Sequence, residues 1–214
     1  ILLASLFFLK NKKQQSEYHK NELQVWASMK EGITYIYKTK EILGALCLDM
    51  FAVLFGGAVA MVPVYASDIL KVGADGFGIL NAASDIGSMM IIVTLSFIPL
   101  RKNQGKILIG VVAGFGLCII GFGLSKLYWL SFLFLMLSGI FDGISVVIRG
   151  TIVQLKTPDH IRGRVMSANS IFIMSSNEMG QFESGVAAKL LGVVRSVVFG
   201  GTMTVLIALF VGKF

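Results

Sequence analysis

Five carboxylates and one guanidinium interrupt otherwise apolar stretches of this chain: Asp49, Asp85, Asp142, Glu178, Glu183 and Arg149. In a hydrocarbon environment each ionisable group costs at least about 2.5–3.5 kcal/mol on insertion scales, so each needs a partner, a wet cavity or a function. Their neighbours are not random. Asn81, Ser84, Asp85 and Ser88 follow the i, i+3, i+4, i+7 spacing of one helical face, as do Ser138, Asp142, Ser145 and Arg149. Ser170, Asn177, Gln181 and Ser184 form a third stripe with Glu178 at its edge. Three helices that each carry one polar stripe imply a shared polar cavity.

The chemistry such a cavity offers is proton exchange and hydrogen bonding to a small molecule. Glu178 falls near mid-span by residue count. A carboxyl there, meeting wet and dry surroundings in turn, takes up and releases a proton, which makes it the proton-coupling candidate. Asp85, Asn81, Asn177 and Gln181 are the candidates for contact with a substrate. Asp49, Asp142 and Arg149 count into the inner half and read as structural or gating charges, while Glu183 points away from its stripe and reads as structural. Asp142 and Arg149 stand two turns apart, about 10 Å along the axis, so each is expected to pair with other groups. Arg162 and Arg164 flank Gly163 just ahead of a helix start and read as structural or gating charges placed to reach acidic groups or helix C-termini outside these segments, or as setting topology alone.

Catalytic constellations are missing from the sequence. His19 and His160 lie apart in polar stretches, Cys47 and Cys118 are isolated in apolar runs, and no metal-ligand spacing appears. There is no G-x-x-x-x-G-K loop to cradle phosphates. The expectation is therefore neither an enzyme nor a metal or cofactor protein.

The elements that must hold these residues follow from hydropathy. Of 214 residues, 55% are hydrophobic and 14% charged, against about 25% charged in an average soluble domain. The mean hydropathy is +0.79. Too little charge is present to coat a water-facing surface, which points to an integral membrane protein. Six apolar segments, 43–66, 77–100, 106–125, 127–150, 166–190 and 193–212, each approach the ~20 residues of a spanning helix. Residues 1–9 are apolar but reach only about 13 Å, and read as the end of a preceding transmembrane helix. Residues 10–42 read as a linker whose Val25, Trp26, Met29, Ile33 and Ile36 share one face, the pattern of an amphipathic helix on a membrane surface. A helix packed on neighbouring loops is the alternative.

The net charge of +7 has a topological explanation. Placing the linker in the cytoplasm puts fifteen of the nineteen Lys and Arg on that side and leaves Lys71, Lys126, Lys189 and Arg195 outside. Basic residues dispersed over loops of one face argue against nucleic-acid binding. The pairs Gly110–Gly114 and Gly139–Gly143 have the small-xxx-small spacing that lets helices approach closely in lipid.

Several strings resemble one family. The run TPDHIRGRVMSANS (Thr157–Ser170), between the fourth and fifth segments, resembles the loop between helices ten and eleven in major facilitator superfamily transporters, in the efflux branch that includes enterobactin exporters and macrolide-efflux proteins. NEMGQFESG (Asn177–Gly185), MKEGITYI (Met29–Ile36) and LDMFAVLFGGAVAMVPVYA (Leu48–Ala66) are similar to that branch's eleventh helix, linker and seventh helix. LRKNQGK (Leu100–Lys106) keeps the basic residues of the usual loop between helices eight and nine and lacks its acidic residue. The resemblance implies an all-α integral membrane fold with six transmembrane helices in two inverted three-helix repeats (about 43–125 and 127–212), the C-terminal half of a twelve-helix transporter. It implies proton-coupled efflux of a small amphipathic molecule, drug or siderophore, across a bacterial cytoplasmic membrane. The partners are then the lipid bilayer, the N-terminal six-helix half and a small-molecule substrate, with the proton gradient as driving force. Uptake or uncoupled diffusion in the same superfamily, and a non-transporting scaffold or receptor, are the alternative readings.

Overall fold

A computed structural model describes residues 22–98, 100 and 103–213. The expected helix end at 1–9, linker residues 10–21 with His19, and the basic pair Arg101 and Lys102 lie outside the described residues. Within them the chain is all helical: α1 (Glu22–Lys38), α2 (Lys40–Ile69), α3 (Ala74–Phe97), α4 (Gln104–Leu124), α5 (Tyr128–Lys156), α6 (Arg162–Leu191) and α7 (Val193–Lys213).

Five of these, α2, α3, α4, α5 and α7, are long and apolar enough to cross a membrane. Helix α6 is 30 residues long, about 45 Å, and has the reach. It falls short in composition, because Arg162, Arg164, Glu178, Glu183 and Lys189 share it with a run of Ser, Asn and Gln. Of the six expected spans, five thus have the character of a spanning helix on length and hydropathy alone. Helix α5 also runs on to Lys156, which moves Arg149 from the expected end of the helix into its body.

Packing follows a chain of neighbours. Helix α3 lies along α5, α5 along α4 and α4 along α7, while α2 and α6 pack on each other and on α7. Helices α5 and α6 barely touch. The α3–α5 crossing is close because it is built on glycine. A Cβ on Gly139 would overlap the Ser84 carbonyl oxygen, and one on Gly87 would overlap that of Met136. Between α6 and α7 a single residue, Gly192, reverses the chain with φ +88, a conformation that glycine adopts without a Cβ penalty.

The core has an apolar cluster at each end. At one, Tyr65, Leu80, Ile119, Phe122 and Leu135 are buried together, and the Tyr65 hydroxyl donates to the carbonyls of Gly123 (2.7 Å) and Ser125 (3.0 Å) in the α4–α5 turn. At the other, Ile36 of α1 packs with Ile42, Val153, Ile161 and Val165. Helix α1 therefore turns part of its apolar stripe onto protein: Ile36 is fully buried and Ile33 partly, while Trp26 stays exposed. The close fit depends on Gly32, where a Cβ would lie 2.5 Å from the Arg164 carbonyl oxygen.

Candidate functional site

Helix α2 is discontinuous. It leaves α geometry after Phe55, passes through Gly56 and a 3-10 segment at Gly57–Met61, resumes at Val62 and ends in a π turn, Tyr65–Ile69. Pro63 has no N–H to donate, and a Cβ on Gly57 would stand 2.7 Å from the Gly180 carbonyl of α6. The Ala52 carbonyl accepts from the Gly56 amide at 2.7 Å and from the Thr204 hydroxyl at 3.3 Å.

Against this break lies a cavity of about 410 Å³. Its wall takes Val53, Gly56, Gly57 and Ala60 from α2, and Ser84, Asp85 and Ser88 from α3. Helix α5 supplies Ser138 and Asp142, and α6 supplies Asn177 and Gln181. The three polar stripes do converge on one space. The hydroxyls largely satisfy themselves locally: Ser88 donates to the Asp85 carbonyl (3.0 Å) and Ser138 to that of Leu135 (2.7 Å). The side chains of Asp85, Asp142, Asn177 and Gln181 have no hydrogen-bond or ion-pair partner among the described residues. Two carboxyls and two carboxamides with free capacity face one small volume, a set able to hold a polar or cationic molecule and to carry a proton.

Of the residues singled out in the sequence, Asp85, Asn177 and Gln181 line this cavity. Asn81 is exposed on α3 beyond the lining. Glu178 is exposed on α6 and also lies outside the lining, since one residue past Asn177 turns a helix by about 100°. Glu183 is half-buried on the same helix. Asp142, read from sequence as a structural or gating charge, lines the cavity. The break at Gly56–Gly57 escaped the hydropathy reading, and the signal for it was the glycine pair and Pro63 inside an otherwise unbroken apolar run.

Asp49 and Arg149 form an ion pair, Oδ2 to Nη1, with both side chains less than a tenth exposed. The Ser145 hydroxyl donates to the other Asp49 oxygen at 3.1 Å. Arg149 thus pairs away from Asp142, across to α2, whereas Asp142, also expected to pair, has no hydrogen-bond or ion-pair partner among the described residues because its side chain faces the cavity. A small void of about 20 Å³ is lined by Asp49, Ser145 and Asp142, so Asp142 borders both the main cavity and the ion pair. At the end of the bundle near α1, Arg164 pairs with Glu31, Arg162 with Asp159, and Lys156 with Glu41 (3.0 Å). The Tyr35 hydroxyl donates to the Lys156 carbonyl at 2.5 Å.

No curated protein and no solved structure matches the chain. A family model does: that of the Major Facilitator Superfamily, over residues 1–181. With that match covering most of the chain, and five apolar helices of spanning length around an internal polar cavity, the chain belongs to the Major Facilitator Superfamily of membrane transporters.

Proposed function

We propose that this chain supplies one six-helix half of a proton-coupled exporter of small amphipathic molecules in a bacterial cytoplasmic membrane, with α6 joining the five apolar helices as a span and the linker on the cytoplasmic side. The observation that carries the reading is the cavity at the α2 break, where four unpartnered polar side chains meet. Broken helices near the midplane are where transporters of this general build place their substrate sites. The polar side chains of α6 are then tolerated in the bilayer because one face packs on α1, α2 and α7 and another lines the cavity. Asp85, Asn177 and Gln181 are exposed at the cavity's open side, which suits closure by a second six-helix half.

The proton-carrying role has two contenders. Glu178 has the depth, and Asp142 has the position, facing the cavity and bordering the Asp49–Arg149 pair. The geometry favours Asp142. The test is efflux driven by an imposed pH gradient in vesicles containing the full-length protein, with a cationic amphipathic dye as cargo. D142N is expected to lose gradient-driven efflux and retain dye binding, with E178Q close to the unsubstituted protein. The opposite pattern returns the role to Glu178. Undiminished gradient-driven efflux by both variants removes these two carboxyls from the coupling. Dye movement that ignores the gradient in the unsubstituted protein indicates an uncoupled facilitator.

A further inference from the structure

We propose that the groove between α1 and the α5–α6 connection is a binding site for the headgroup of an anionic phospholipid. It has a volume of about 580 Å³, and its walls include Lys30, Thr34 and Lys38 of α1 and Pro158, His160 and Ile161 of the connection. The inference rests on the bilayer-spanning reading above and concerns a surface separate from the cavity.

The charge balance of the groove is the first argument. Two acidic groups bear on it, Glu31 in the wall itself and Asp159 beside it, and each is taken by an arginine: Glu31 by Arg164 and Asp159 by Arg162. Lys30 and Lys38 have no ion-pair partner among the described residues, so the space carries uncompensated positive charge. They stand eight residues apart on α1, about 12 Å of rise, and their flexible stems can close on a phosphodiester from both ends. The Thr34 hydroxyl and a His160 ring N–H add further donors.

A second, independent observation distinguishes a lipid from a soluble anion. Trp26 is 70% exposed and Tyr37 59% exposed. Helical spacing puts both on the side of α1 next to Lys30, with Trp26 one turn before it. Exposed Trp and Tyr beside lysine is the composition of a segment seated at headgroup level, where the rings settle among acyl and glycerol groups and the ammonium meets phosphate. The inner face of α1 is held on protein by Ile36 and Gly32, so the lysines and aromatics are left to face the membrane surface.

The experiment is native mass spectrometry of the full-length protein, extracted from membranes and offered phosphatidylglycerol, phosphatidylcholine or inorganic phosphate. The unsubstituted protein should retain phosphatidylglycerol over phosphatidylcholine, and K30E/K38E should lose about fivefold or more of that preference for each lysine removed. Both lysines are exposed, so the fold tolerates the change. K126E/K189E, at the other end of the bundle, should keep the preference. Equal retention of the two lipids by the unsubstituted protein overturns the proposal, as does an equal loss in K126E/K189E. Displacement of phosphatidylglycerol by equimolar inorganic phosphate assigns the groove to a soluble anion and overturns the lipid. Failure of the membrane reading would appear earlier and separately, as protein absent from the membrane fraction.

Discussion

Asp49 and Arg149 join α2 to α5 through a pair that neither residue could sustain alone, both side chains being less than a tenth exposed. Removing one partner from such a pair leaves an uncompensated buried charge, a loss of about 3–5 kcal/mol. R149A and D49A should each lower the thermal midpoint of the purified protein sharply, and the double variant should recover at least half of either loss. Thiol-reactive dye melting reads this directly, because Cys118 is buried and Cys47 partly so. Additive losses in the double variant would show that the two charges act independently. The sequence made part of this legible. It identified both residues as intramembrane charges needing partners and gave the stripes that converge on the cavity. It could not supply the pairing, since the residues are a hundred positions apart and helical periodicity orders only residues on one helix. Asp142 read as a structural or gating charge because residue counting put it in the inner half, and only the fold shows that its stripe divides, one end in the cavity and the other on α2.

Helix contacts separate glycines that look equivalent in the sequence. Gly110–Gly114 and Gly139–Gly143 share one spacing, yet a Cβ on Gly110 meets nothing within 4 Å, whereas one on Gly139 overlaps the Ser84 carbonyl. G139A should force α3 away from α5 and cost about 1–3 kcal/mol. G110A should be neutral or stabilising, since alanine is favoured over glycine inside a helix by up to about 1 kcal/mol. Thermal melting of the two variants side by side checks this, and equal midpoints would remove the close crossing as the reason for Gly139. The positions of the helices were legible because each apolar segment is bounded by glycine, proline or charge. The break in α2 was harder to read, because Gly56, Gly57 and Pro63 sit in a run whose average hydropathy they scarcely alter. Helix α6 shows the reverse. Its length was legible, but its polar content makes sense only beside the elements that shelter it, α1, α2 and α7, and the cavity it lines.

For the bundle as a whole, the fold ties the loops into two distinct ends. The ion pair of Glu41 with Lys156 holds the start of α2 to the finish of α5, and α1 lies across the same end. The Tyr65 hydroxyl holds the other end of α2 to the α4–α5 turn that carries Lys126. Lys38, His160, Arg162 and Arg164 therefore share one end while Lys126 occupies the opposite one, as the distribution of fifteen basic residues against four requires if a membrane lies between. Sidedness can then be measured on three residues of the full-length protein with Cys47 and Cys118 replaced by alanine. A membrane-impermeant maleimide should label K126C in intact cells, and should reach K38C and H160C only after permeabilisation. All three positions lie in or beside exposed segments outside the apolar cores, so the substitutions should leave folding unchanged. Labelling of H160C but not K126C in intact cells would invert the bundle. The groove at Lys30 and Lys38 would then face the outer leaflet, and the linker proposed for the cytoplasmic side would lie outside with it.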